Sequence, residues 1–286
     1  MMTQTRTNAR RMVERLSQRW RSDPTVLIIG AQRAGTSYVW EALQRHDEVG
    51  MSKQKEVHYF TLRFDRGYQW YKSNFPVRSP DRTHAGEATP YYLFHPLAAK
   101  RAAQTLPWAK VIVLLRDPVD RAFSHYRHNI RLGIETLSPV AAFAAEGDRL
   151  RGEEERIQAD PMYCSYNYQH FSYFRRGLYA EQLDRWYNGF PTESIWVGES
   201  EMLFARPDET IGSICDFLGI SRRVEIPVGS RNDTAPLDIP AALAETLRAQ
   251  YTEANARLRS LIGKKFLWLD EFQSCVASES EVKPCH

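Results

Sequence analysis

Residues 25–46 read TVLIIGAQRAGTSYVWEALQRH: a short apolar run, a glycine-bounded turn and the opening turns of a helix. Val26, Leu27, Ile28 and Ile29 carry no charge and are rich in β-branched residues, as an inner strand of a parallel sheet requires. Gly30 ends the run, and Gly35 allows close approach of the backbone to a ligand. Thr36 and Ser37 are placed to cap the helix that follows. Free N–H groups at a helix start attract phosphate, so the stretch predicts an anion site on an α/β sheet. Gly30 and Gly35 have the spacing of a P-loop, but Thr36 and Ser37 stand where a nucleotide triphosphatase carries Lys and then Ser or Thr. The basic group is Arg33 instead. Because the P-loop lysine reaches the β- and γ-phosphates and the next hydroxyl holds magnesium, this loop is built for fewer phosphates and no metal. On the loop alone, a strand-to-helix turn without a ligand is the alternative.

A chain of 286 residues holds one sizeable α/β core. Charged residues make up 26%, an ordinary globular share, and no apolar run is long enough to span a membrane. The net charge of +3 is too small to indicate nucleic acid, so basic residues matter by where they cluster. Cysteines 164, 215, 275 and 285 lack metal-ligand spacing and follow no secretory signal, so a reducing cytoplasm is expected, with Cys275 and Cys285 as free thiols. Residues 1–22 hold six arginines, with Met12, Leu16 and Trp20 at helical spacing. This basic extension, residues 1–23, is expected to dock its apolar stripe on the domain, peripheral membrane contact through residues 8–20 being the alternative. Residues 24–271 form the expected domain, and 272–286 a polar tail.

In KQKEVHYF, residues 53–60, Glu56 and His58 are two apart, so an extended segment would point both to one side, beside Lys53 and Lys55. Carboxylate, imidazole and ammonium groups together suit acid/base chemistry, although a solvated charged loop is the alternative. GEATPYYLFHP, residues 86–96, supplies another candidate carboxylate, Glu87, and the pair Tyr91–Tyr92, with an ordinary loop of packed tyrosines as the alternative. VIVLLR, residues 111–116, predicts a second buried strand ending at Arg116, followed by a helix opened by Asp117 and Pro118. Ligands of open α/β sheets bind beyond the carboxyl ends of strands, so Arg116, and Ser124 two turns along, should face the glycine loop as a second anion site. Residues 131–170, with the charge run RLRGEEER, read as a helical excursion or flap with a solvated charged face. Helices over 174–191, 208–220 and 240–262 and a strand over 194–200 complete a three-layer α/β/α fold with a parallel sheet and a P-loop-like turn.

Read together, these segments resemble the sulfotransferases that use PAPS (3′-phosphoadenosine 5′-phosphosulfate), most closely the heparan sulfate group, from about residue 24 to 269. The resemblance implies that Gln32, Arg33, Ala34, Gly35, Thr36 and Ser37 hold the 5′-phosphosulfate and that Arg116 and Ser124 hold the 3′-phosphate. Ser230, Arg231 and Asn232 would cover the nucleotide, and Glu87, Tyr91 and Tyr179 would face the acceptor. Glu56 matches the family's catalytic glutamate, with His58 orienting it or the acceptor and Arg33 meeting charge on the leaving phosphate. Two positions depart from the pattern: Arg33 replaces the usual lysine, and Ala88 follows Glu87 where the heparan enzymes usually carry one. Arginine still binds sulfate and phosphate but cannot donate a proton. The expected reaction moves a sulfuryl group from PAPS to a hydroxyl or amine of a carbohydrate, small-molecule or lipid acceptor, leaving PAP, with no metal and no nucleic acid. The rivals are a P-loop kinase or nucleotide triphosphatase, and a PAP- or glycan-binding module without chemistry.

Overall fold

A computed structural model describes residues 20–225, 239–263 and 266–269. Five parallel strands, β1 (Val26–Gly30), β2 (Val49–Met51), β3 (His84–Ala88), β4 (Lys110–Leu115) and β5 (Ile195–Glu199), lie in the order β2-β3-β1-β4-β5. The main helices are α1 (Thr36–Gln44), α2 (Ala98–Thr105), α3 (Pro118–Arg131), α4 (Tyr179–Tyr187), α5 (Pro207–Leu218) and α6 (Ala241–Ile262). This is an α/β fold around a central parallel sheet, as the alternation of patterns predicted.

Val26, Leu27, Ile28 and Ile29 are fully buried, as are Val111 to Leu115 on β4. Each such side chain contributes roughly 1.5–3 kcal/mol when buried, so this pair of strands anchors the fold. From β1 the chain crosses to β2, whereas from β4 it moves on to β5, in the opposite direction. The β1–β4 edge is therefore the switch point where open α/β sheets leave a crevice beyond the strand ends. The β1–β4 register slips between Ile28 and Gly30, so that Gly30 sits against Val113. That bulge turns the chain out of the sheet and into the glycine loop.

Two expectations change. Residues 84–88 form β3, an inner strand that the sequence did not predict, because Ala85, Gly86, Glu87 and Ala88 are small or internally hydrogen-bonded enough to lie between β1 and β2. The charge run of 131–170 is not merely solvated. Four short helices there are tied down by buried carboxylates. Glu135 accepts from Tyr173 Oη (2.9 Å) and Arg149 Nη1 (2.5 Å), Glu146 from the backbone N–H of Phe174 (2.6 Å) and Arg175 (2.9 Å), and Glu153 from Tyr163 Oη (2.8 Å) and Ser165. Residues 1–19 of the basic extension, the tail with Cys275 and Cys285, and Ser230, Arg231 and Asn232 lie outside the described residues, and Trp20, expected to dock on the domain, is exposed. Among the described residues no helix is long and apolar enough to cross a membrane.

His125 on α3 is buried, makes an edge contact with Tyr173 (4.9 Å), and has no hydrogen-bond partner on either ring nitrogen. Burial pushes its pKa well below the ordinary value, with Arg176 and Arg121 adding to the effect. The unfolded chain then binds the proton that the folded chain refuses, so this stability is present above about pH 6.5 and is lost as pH falls below it. His125→Phe keeps the ring contact and removes the titration. Thermal unfolding should show the variant matching wild type at pH 7.5 and exceeding it at pH 5; equal acid sensitivity in both proteins would contradict this.

Candidate active site

The glycine loop and α3 meet as the strand order requires. Gly35, at φ 91°, is the N-cap of α1, and no side chain caps the helix, so Thr36 and Ser37 leave the helix-start N–H groups open rather than closing them. Any Cβ at Gly35 would lie 2.7 Å from Leu203 Cδ2, so the loop tolerates only glycine there. Ala34 is fully buried and its N–H is held by Ala31 O (3.1 Å). Arg33 Nε donates to Ser124 Oγ at 3.0 Å, and Arg116 Nη1 donates to the carbonyl of Arg33 at 3.3 Å. Asp117 caps α3 through the N–H groups of Val119 (2.8 Å) and Asp120 (2.9 Å), fixing the helix start on which Arg116 stands.

This corner is strongly positive. Burial lowers the pKa of the Arg33 guanidinium, and the like charges of Arg131, Arg116 and Arg127 lower it further. The only carboxylate within ion-pair distance of Arg116, among the described residues, is Asp120 at 3.6 Å. Cations held together against their own repulsion and burial need an anion, and a phosphorylated ligand supplies one.

Glu56 stands across the cleft. Its Oε2 lies 3.3 Å from His58 Nε2 and its Oε1 accepts from Lys55 Nζ at 3.2 Å. The two side chains meet as their spacing suggested, but by a different route. Residues 53–58 form no strand, and Glu56 (φ 63°) and His58 (φ 57°) are in the left-handed region. Together with Arg33 (φ 73°) they are the only non-glycine residues of positive φ among the described residues. Such conformations cost of order 1–3 kcal/mol each and gather at functional sites. The backbone of Glu56 is held by Ala88 O (2.9 Å) and that of His58 by Thr89 Oγ1 (3.4 Å), so β3 carries the segment. Burial raises the Glu56 carboxyl, but the His58 hydrogen bond and the Lys55 charge outweigh it and bring its pKa down to about 2.

Three assignments to the acceptor side fare differently. Tyr91 lines the cleft. Glu87 does not: it is fully buried on β3 and accepts from Thr89 Oγ1 (2.6 Å), Tyr71 Oη (2.7 Å) and Tyr92 Oη (2.9 Å). Burial raises its pKa against those donors. It braces the strand beneath Glu56 and has no surface to offer an acceptor. Tyr179 is also buried, and its hydroxyl donates to Arg116 O (2.9 Å), so it supports the anion site from below.

Between Glu56 and the loop lies a cavity of about 150 Å³, lined on one side by Gln32, Glu56, His58 and Tyr91 and on the other by His128, Asn129, Gln169, His170 and Arg176. Gln169 and His170 went unread in the sequence because residues 131–170 carry no recognisable periodicity, and His128 and Asn129 because the helix after Arg116 was read only for its anion-binding residues. Arg176 opens RGLYAEQLDRW, a segment that shares in the resemblance, but no role was legible for it in the sequence. Gln32, assigned to the nucleotide, accepts from Arg176 Nη1 at 2.7 Å.

A family model described as "Sulfotransferase domain" matches residues 23–230. A sulfotransferase structure from Alicyclobacillus acidocaldarius superposes with a TM-score of 0.68 at 32% identity, covering 86% of this chain and 99% of that one. The membrane-associated sulfotransferase kil1 of Dictyostelium discoideum is 24% identical over 86% of this chain and 66% of its own length. Heparan sulfate glucosamine 3-O-sulfotransferase 6 of Homo sapiens is 29% identical over 86% of this chain and 73% of its own. The chain thus spans about two thirds to three quarters of these two relatives.

The Glu56–His58 contact makes a measurable prediction. A carboxyl lowered in the folded state is ionised at every pH above its depressed value, and the stability this confers is lost as pH falls through about 2. In His58→Ala the first lowering partner is gone, so the side-chain ¹³C titration midpoint of Glu56 should rise by about one unit. An unchanged midpoint would mean that the contact does not hold the charge.

Proposed function

We propose, from the premise that this chain belongs to the sulfotransferase family, that it transfers the sulfuryl group of PAPS to a hydroxyl with Glu56 as general base. The observation that carries this reading is that Glu56 and His58 line a cavity that also reaches the phosphate loop at Gln32. The open helix start, the glycine-only turn and the arginine cluster fit a phosphosulfate, so Arg33 and the N–H groups of Gly35 to Ser37 would hold the 5′ end. Arg116 and Ser124 would hold the 3′-phosphate.

In the transfer a bond forms between the acceptor oxygen and sulfur as the bond from sulfur to the 5′-phosphate oxygen breaks. The electron pair of the broken bond stays on that phosphate, where Arg33 and the loop N–H groups stabilise it. The acceptor proton goes to Glu56. A carboxylate with a pKa of about 2 is ionised but a weak base. Two effects offset this: the anionic donor beside Glu56 raises its pKa, and the acceptor hydroxyl grows more acidic as its oxygen bonds to sulfur. His58 and Lys55 keep the carboxylate aimed and charged until then.

A cavity of about 150 Å³ is smaller than the roughly 300–1,000 Å³ of whole-ligand pockets, so it admits only the reacting end of the acceptor. Its amide, imidazole and aromatic lining, with Leu132 and Ile134 at one edge and Arg176 as its one lasting cation, suits a neutral hydroxyl-bearing group such as a sugar ring. The heparan relative supports a carbohydrate, while buried Ala88 and a lining with a single arginine favour one less anionic than heparan sulfate. We also propose a reducing, cytoplasmic setting, in keeping with the free thiols of Cys164 and Cys215.

Mass spectrometry of glycan and metabolite extracts incubated with PAPS should show a mass gain of one sulfuryl group on neutral hydroxyl compounds in preference to heparan fragments. PAP binding without any transfer would favour a binding module, and a requirement for ATP and magnesium a kinase. Glu56→Gln should lower turnover by ~10²- to 10⁴-fold and leave PAP affinity within about threefold; retention of a third of the activity would remove Glu56 from the role. By calorimetry, Arg116→Ala should weaken PAP by about tenfold or more, since a charge-assisted contact is worth ~1.5–3 kcal/mol. Equal affinity would contradict the second phosphate site.

A further inference from the structure

We infer that Arg176 is a further catalytic residue, which grips the sulfuryl oxygens from the acceptor side while Arg33 holds the leaving phosphate; this rests on the sulfuryl-transfer reading above. Arg176 is buried, 3% exposed, just before α4. Nη1 donates to Gln32 Oε1 (2.7 Å) and Nη2 to Gln169 O (2.6 Å), which fixes the plane of the guanidinium. The rings of Tyr91 (4.8 Å) and Phe94 (5.0 Å) confine it from the sides. Its Nε is buried without a partner, and among the described residues no carboxylate lies within ion-pair distance.

A buried, fully charged arginine held by two neutral acceptors is costly unless an anion completes it. Burial brings its pKa down to about 10, so it remains charged at neutral pH. Its position says which anion. Gln32, its hydrogen-bond partner, belongs to the phosphate loop and is next to Arg33 in sequence. Glu56 and His58 line the same cavity. The guanidinium thus stands between the group that takes the acceptor proton and the loop that takes the leaving phosphate. The sulfuryl group crosses this space, and its three oxygens need donors throughout the crossing. The spare N–H groups of a planar fork suit such oxygens better than an ammonium would. A fixed cation here also compensates for Arg33, which supplies charge but no proton to the leaving group.

Arg176→Met tests this, because methionine keeps an unbranched stem between Tyr91 and Phe94 while removing the charge. If Arg176 serves the sulfuryl group, kcat should fall about 100-fold or more. PAP, which has no sulfuryl group, should bind within threefold of wild type, and the melting temperature of the free protein should hold or rise, since an uncompensated buried charge has gone. Arg176→Lys should fold as wild type and still lose about tenfold in kcat, with KM for PAPS changing less. A Met variant whose kcat stays within threefold overturns the inference. So does one that fails to fold, or whose melting temperature and PAP affinity fall together with kcat, because then Arg176 is a brace between Gln32 and Gln169. Wild-type protein that binds PAP but transfers nothing from PAPS refutes the sulfuryl-transfer reading instead.

Discussion

The pairing of β1 with β4 is the constraint on which the rest depends. Its register sets Gly30 against Val113 and so brings the ends of both strands to one point, where Arg33 and Arg116 emerge side by side. Hydrophobic burial of two uncharged strands thereby brings like charges close together, at a place where the strand order leaves a crevice. The fold stores that repulsion until an anion relieves it. Asp117, Tyr179 and Ser124 hold the arginines in place without neutralising them. Preorganised charge of this kind acts on a developing negative charge with no reorganisation during reaction.

The opposite wall is built by backbone strain. Glu56 and His58 take left-handed conformations that alanine-like residues avoid, and β3 holds them through Ala88 and Thr89. Beneath, Glu87 is fixed by three hydroxyl groups, so the strand that holds Glu56 cannot easily shift. The arginine corner and Glu56 are thus supported by different strands of one sheet.

Much of this was legible in the sequence, for identifiable reasons. VLIIG and VIVLL are short, β-branched apolar runs ending at glycine or before arginine, a pattern that suits an inner parallel strand. Glu56, His58, Arg33, Arg116 and Ser124 lie in short segments whose residue types have few other uses together. By contrast, HAGEA does not look like a strand, because its carboxylate is satisfied by Tyr71, Thr89 and Tyr92, of which only the last two are near in sequence. The acceptor wall was hidden for a similar reason: Asn129, Gln169 and Arg176 are brought together by buried carboxylates whose partners lie up to 38 residues away, as Tyr173 does from Glu135. Local periodicity does not report such contacts.

The central claim is that the charged corner at the β1–β4 edge is the donor site and that the cavity beside it is where transfer occurs. A crystal structure of the protein with PAP tests it most directly. The account predicts the 5′-phosphate on Arg33 and the N–H groups of Gly35 to Ser37, the 3′-phosphate on Arg116 and Ser124, and Glu56 facing the open side of the 5′-phosphate across the cavity. PAP seated elsewhere would contradict it, for example in the apolar cavity lined by Phe143, Phe174 and Leu247. So would PAP in the loop with Glu56 turned away.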